Sequence, residues 1–255
     1  MRDTIDVSST LMFPMSWQLP HSPLLGRVLL AQLFGAVAAG ATAGIVALLV
    51  PTTPAYPAKA MLASMAVSVV ALGYLKRHHP FDRYGAANLV TTGRAALVAV
   101  VAALVGEGGA ERVAWTVATL GLAAAALDGV DGWLARRTSM ASSFGARFDM
   151  EVDALLILVL AVLTWQHGKA GVWIVLAGAM RYLFVFAGFA WRWIEAPLPP
   201  SVRRKSVCVV QIVGLAVVVS PLVESPASVA LAAIILAALI WSFGVDVLWL
   251  RRQRG

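Results

Sequence analysis

From Leu24 onward the chain alternates apolar runs of about 18 to 25 residues with short stretches rich in Pro, Gly or charge, the pattern of a chain that crosses a bilayer repeatedly. It predicts eight spans, at approximately 26–50, 59–75, 89–106, 112–135, 146–166, 170–192, 206–222 and 227–249. The second and seventh are among the shortest, so seven is the other count. PTTPAYP at 51–57 predicts a helix-breaking turn, and EAPLPPS at 195–201 a stiff linker. No sequence period indicates a solenoid.

The segment before the first long run mixes Leu11, Phe13 and Trp17 with polar positions and with Pro14 and Pro20. It reads as an interfacial or disordered stretch and, with Asp3 and Asp6 close behind Arg2, not as a cleavable leader. The expected organisation is an N-terminal segment over 1–25, two helices within 26–80, and a six-helix unit over 81–255. GATAG at 40–44 predicts close helix packing in the first span.

Composition agrees with this reading. The 255 residues are 60% hydrophobic and only 13% charged, with a mean hydropathy of +0.82, against roughly 25% charged residues in soluble domains. The predicted fold is therefore an all-α polytopic membrane helix bundle. A net charge of +7 raises the question of nucleic acid, but the cations sit at the ends of apolar runs and form no continuous basic face. They gather at 76–83, 136–147, 192–205 and 251–254, whereas the alternate loops hold only Lys59, Arg112 and Lys169. By the positive-inside rule both termini and the 136–147 loop are cytoplasmic.

Residues 128–153 read DGVDGWLARRTSMASSFGARFDMEVD. A carboxylate at mid-bilayer costs at least about 2.5 to 3.5 kcal/mol, so four together require counter-charge. Asp128 and Asp131 are three apart, and Asp149 and Asp153 four apart. Each pair therefore projects from one face of its helix. On antiparallel neighbouring helices the four would converge, and an all-oxygen set suits Mg²⁺, Mn²⁺ or Ca²⁺ with substrate phosphates filling the remaining positions. Gly132, Ala135 and Gly145 leave room beside them, and Arg136 offers a fork for phosphate oxygens.

Asp128, Asp131, Gly132, Ala135, Arg136, Gly145, Asp149 and Asp153, at this spacing, resemble the complete signature of the CDP-alcohol phosphotransferase family. NLVTTGR, with Asn88, Thr91 and Arg94, is similar to the polar stretch commonly found on the family's preceding helix. The resemblance implies a six-helix core from about Asn88 to Leu250, which leaves the first two spans outside it. It also implies a donor, CDP-diacylglycerol, whose phosphatidyl group passes to a polar alcohol with release of CMP. Asp128, Asp131 and Asp149 would ligate two divalent cations, Mg²⁺ or Mn²⁺. Asp153 would stand near the same metals and act as base toward the acceptor hydroxyl, and Asp131, Gly132, Ala135, Arg136 and Gly145 would hold the cytidine diphosphate. A homodimer in a bacterial inner membrane is the expected setting.

The acceptor is read from basic residues. Arg181 and the cluster Arg203, Arg204 and Lys205 would suit a phosphate such as that of glycerol 3-phosphate, with Arg94 carried alongside them. RRKSVCVVQ is loosely similar to basic segments of phosphatidylglycerophosphate synthases, and a positive-inside anchor explains the same residues. Phosphatidylglycerol, inositol phosphate, inositol and serine are the alternative acceptors. A cation or proton transporter would also use membrane aspartates, but it gives Gly132, Ala135, Arg136 and Gly145 no task.

The remaining polar residues have plainer readings. His78 and His79 predict a surface turn, and His21 and His167 stand alone. Cys208 reads as core filler, Glu151 as turned away from the aspartate face, and Asp246 as paired with nearby arginines or solvated. Trp165, Trp173, Trp191 and Trp241 suit an interfacial belt, and Trp133 packing beside the nucleotide.

Overall fold

The computed structural model describes residues 22–138, 140–196 and 198–253. Expectations for the N-terminal segment, for His21 and Arg254, and for the side chains of Lys76, Arg77 and His78 fall outside what it describes. The described residues form eight α-helices and no strand: α1 (Ser22–Leu49), α2 (Tyr56–His78), α3 (Ala86–Ala103), α4 (Glu111–Arg137), α5 (Ser143–Gln166), α6 (Val175–Ala190), α7 (Val202–Val219) and α8 (Ala227–Arg252). Short 3-10 turns at Val172–Ile174 and Arg192–Glu195 bracket α6.

Six of these helices are long and apolar enough to cross a membrane: α1, α2, α3, α4, α8, and α6 together with the turn before it. The other two have charge too closely spaced to leave a full apolar span. α5 carries Arg147, Asp149, Glu151 and Asp153 in its first half, and α7 opens on Arg203, Arg204 and Lys205. Their apolar remainders still form core, with Leu156, Leu160 and Leu163 of α5 and Leu215 of α7 wholly buried.

Local chemistry sets the helix ends. Pro57 stands in the first turn of α2, where its missing N–H removes no helical bond. Gly85 precedes α3 at φ +84°, a conformation that disfavours side chains, and an added Cβ would also come within 3.2 Å of Met140. Ser142 caps α5, its hydroxyl accepting from the Gly145 N–H at 3.1 Å.

α3 is the most enclosed helix and packs against α1, α2, α4 and α5. α7 joins α4, α5 and α8, and α6 lies on α5. Small residues permit these approaches: a Cβ on Gly178 would lie 2.2 Å from the Leu158 Cα, so α6 meets the α5 backbone itself. In the GATAG stretch only Gly40 matters in this way, its absent Cβ leaving space for Met61, whereas Gly44 faces open space. Outward faces are apolar, as lipid requires, with Leu33, Phe34, Phe186, Phe189 and Ile234 exposed. Trp165, Trp173, Trp191 and Trp241 are exposed too.

His79 departs from the expected surface turn. It is buried, with its ring 5.5 Å from Phe144 and 5.6 Å from Phe81 and its Nε2 2.7 Å from the Arg83 carbonyl. Aromatic neighbours contributed by α5 and by the loop itself enclose the imidazole, a tertiary effect that a basic local composition does not reveal.

At the end of the bundle where α3 turns into α4, Glu107 is enclosed by groups from the α1–α2 hairpin. Its Oε1 accepts from Lys59 Nζ at 2.6 Å and from the Thr53 hydroxyl at 2.9 Å, and Oε2 from the Thr53 N–H at 2.5 Å. Burial alone would raise the Glu107 pKa, but these donors outweigh it and hold the carboxyl below its ordinary value. Such a group stabilises the fold fully above its unfolded pKa of about 4.3, and the contribution fades as pH falls from there through the lower folded value. Thermal unfolding of the wild type should therefore lose this increment between about pH 4.3 and the folded pKa. Glu107→Gln should lack that pH-dependent increment and lie below the wild type at pH 7.

Candidate active site

The NLVTTGR face of α3 is the floor of the site. Asn88, Thr91 and Arg94 recur every three residues, so they follow one side of the helix, and all three are buried. Thr91 donates to Asp131 Oδ2 at 3.0 Å. Arg94 is wholly buried, and its guanidinium meets all four aspartates.

Nη1 of Arg94 lies 3.0 Å from Asp128 Oδ1 and 2.7 Å from Asp131 Oδ2, and it also contacts Asp149 Oδ1. Nη2 is 2.5 Å from Asp153 Oδ1, and Nε donates to the Ala124 carbonyl at 3.2 Å. A planar fork is suited to this task, because a lysine ammonium offers no comparable spread of donors. Arg94, expected at the acceptor, is thus enclosed by carboxylates as their counter-charge.

The two aspartate pairs converge as their spacing predicts, one from the second half of α4 and the other from the first half of α5. One carboxylate oxygen each from Asp128, Asp131 and Asp149 lies within 4.8 Å of the others, an arrangement that could hold a metal ion. Four carboxylates face a single guanidinium, and hard oxygen donors carrying surplus negative charge fit a divalent cation such as Mg²⁺. The side chains of Asp128 and Asp149 are each 36% exposed and that of Asp131 only 6%, so the cluster is open on one side.

That side is a cleft of about 300 Å³ between α4, α5 and α7. Asp128, Asp131, Asp149 and Asp153 line it together with Gly132 and Arg136. Of the basic cluster, only Lys205 lines the cleft. Arg203 and Arg204 are held instead by Asp246 of α8, at 2.5 and 3.1 Å, and Arg203 also contacts Ser242. Arg181 pairs with Glu151 at 2.6 Å, on the face of α5 turned away from the aspartates.

Two signature positions do not line the cleft. Ala135 is absent from its wall, and the room beside Gly145 belongs to the protein: a Cβ there would lie 2.9 Å from Asn88 Oδ1 and 3.4 Å from Ser142 Oγ. Gly145 lets α5 approach α3 closely. Cys208 departs from its expected place as core filler and lines the cleft, Sγ lying 3.6 Å from Asp153 Oδ2. Local sequence gave no signal for it, since an apolar run does not tell which face of α7 meets α5.

No solved structure matches the chain. A family model described as CDP-alcohol phosphatidyltransferase matches residues 84–244. Four helices build the cluster and its cleft, α3, α4, α5 and α7, and each lies entirely within that stretch. A match that extends over more than half of the sequence and takes in the whole of the site means that the protein belongs to the CDP-alcohol phosphatidyltransferase family.

Proposed function

We propose that the protein moves the phosphatidyl group of CDP-diacylglycerol to glycerol 3-phosphate and releases CMP. The observation that carries this reading is the cleft itself, which brings the aspartates of α4 and α5 together with Lys205 of α7. Phosphatidylglycerol, inositol phosphate, inositol and serine are the other acceptors the same chemistry would serve.

In this reading Asp128, Asp131 and Asp149, with Asp153 beside them, hold two divalent cations, Mg²⁺ or Mn²⁺. Bound there, such ions would neutralise the diphosphate and stabilise the charge that develops on departing CMP. Gly132 and Arg136 accommodate the cytidine diphosphate, with Asp131 at its metal end and Ala135 and Gly145 shaping the helices behind it. The acceptor oxygen bonds to the phosphatidyl phosphorus, the bond from that phosphorus to the CMP oxygen breaks, and the hydroxyl proton passes to Asp153. Asp153 suits this role because Arg94 occupies its Oδ1, leaving Oδ2 beside only the weak thiol donor of Cys208. Lys205 meets the acceptor phosphate, while Arg203, Arg204 and Arg181 act through their carboxylate partners at the margin. The charge asymmetry of the loops favours a cytoplasmic cleft, and a bacterial inner membrane is the setting proposed for it.

Purified protein given cytidine-labelled CDP-diacylglycerol, Mg²⁺ or Mn²⁺, and each acceptor in turn tests the proposal. CMP release should be fastest with glycerol 3-phosphate. Release with a different acceptor alone would reassign the second substrate, and release with none would overturn the reading.

A further inference from the structure

The helices α1 and α2 precede the family match, yet they reach its site through a buried chain of hydrogen bonds. Gln32 of α1 is 6% exposed and is the one polar side chain between Val28 and Ala41, where an unbonded amide would be costly. Its Oε1 accepts from the Ser68 hydroxyl of α2 at 2.8 Å, and its Nε2 donates to the Tyr84 hydroxyl at 3.0 Å. The Tyr84 and Thr92 hydroxyls share a hydrogen bond at 3.0 Å, and the Thr92 hydroxyl is also 2.8 Å from the Asn88 carbonyl. The chain is therefore continuous from Gln32 through Tyr84 and Thr92 to the Asn88 backbone.

Tyr84 also touches both helices that the site must align. Its carbonyl accepts from Asn88 Nδ2 at 2.5 Å, and its ring lies 6.2 Å from that of Phe144 in the first turn of α5. Asn88 Oδ1 in turn fills the space beside Gly145. Six residues beyond Asn88 stands Arg94, and four beyond Gly145 stands Asp149. A close approach at Gly35, where a Cβ would lie 2.9 Å from Thr92 Cγ2, brings α1 near enough for Gln32 to reach.

We propose that Gln32 is a positioning residue for the transferase site. Through Tyr84 it sets the register of the 88–94 turn of α3 against the first turns of α5, and so the distance of Arg94 from Asp149 and Asp153. The α1–α2 hairpin is then a working part of the site rather than an appended anchor. This inference rests on the proposed transfer reaction.

Gln32→Leu, which keeps the bulk, and Tyr84→Phe, which keeps the ring and removes only the hydroxyl, test it in the full-length protein. Each should lower kcat for CMP release about tenfold with KM for either substrate changed less than about twofold. The double variant should be no slower than the worse single one, because both break the same chain. Amide hydrogen exchange over residues 142–150, measured without substrate, should be faster in both variants. Unchanged exchange with unchanged kcat would overturn the inference, as would a loss of thermal stability at full kcat, the mark of a merely structural amide. If the wild type releases no CMP, the transfer reading fails, and exchange alone then decides whether Gln32 positions α5.

Discussion

Asp153→Asn is expected to reduce CMP release by at least about a hundredfold while the protein remains folded. The asparagine carbonyl still accepts from Arg94, so the contact of 2.5 Å at Oδ1 has a replacement. What the amide lacks is a basic oxygen to receive the acceptor's proton. Substitution also removes one of four mutually repelling carboxylates, which argues against a fall in stability. Initial rates with saturating acceptor, together with a melting curve on the same preparation, separate the two effects. Full activity in this variant would remove Asp153 from the chemistry and leave it as a partner of Arg94 alone.

The aspartate set was legible because helix geometry converts spacing into direction: three and four residues place both members of each pair on one face. Spacing does not tell which helix lies opposite. Arg94 illustrates the gap, since NLVTTGR marks it as polar in an apolar span, while its burial beneath Asp128, Asp131, Asp149 and Asp153 depends on α3 packing against α4 and α5. The basic cluster is a second case, because Arg203 and Arg204 are turned from the cleft by Asp246, which is more than forty residues away in the chain. Gly145 is a third: the sequence offers a missing side chain, and only packing shows that Asn88 fills the space.

Span positions were legible for a different reason. Apolar length is dictated by bilayer thickness, which accounts for the six helices long and apolar enough to cross. α5 and α7 overlap their expected ranges too, but charge in their first halves leaves them short of a full apolar span. Their ends shift where local chemistry outweighs hydropathy. α3 begins at Ala86 rather than near 89 because the positive φ of Gly85 sets the helix start there, and it takes Asn88 into its first turn. The segment expected at 170–192 begins as a 3-10 turn, so α6 itself is shorter, at Val175–Ala190. The hairpin's connection to the site had no local signature, since a single Gln32 in an apolar run discloses nothing about Tyr84 fifty-two residues away.

Arg94→Leu is expected to have the largest effect on stability. The substitution leaves Asp128, Asp131, Asp149 and Asp153 facing one another without the guanidinium that now touches each of them. Removing one partner from a fully buried ion pair typically costs about 3 to 5 kcal/mol. Asp131 and Asp153 are left poorly solvated here, whereas Asp128 and Asp149 are each 36% exposed, so the loss should lie toward the lower end of that range. In chelator the variant should therefore unfold at a clearly lower temperature than the wild type. Divalent cations should reverse part of that loss, because an ion that binds only the folded cluster stabilises it by about 2.7 kcal/mol at a hundred times its dissociation constant. Mg²⁺ or Mn²⁺ should thus raise the melting temperature of Arg94→Leu, and Na⁺ at equal ionic strength should not. Arg94→Lys, which keeps the charge but loses the fork, should fall between the two proteins in chelator. Equal melting temperatures for Arg94→Leu and the wild type in chelator would mean that the carboxylates are neutralised without Arg94, and its place as their counter-charge would have to be given up.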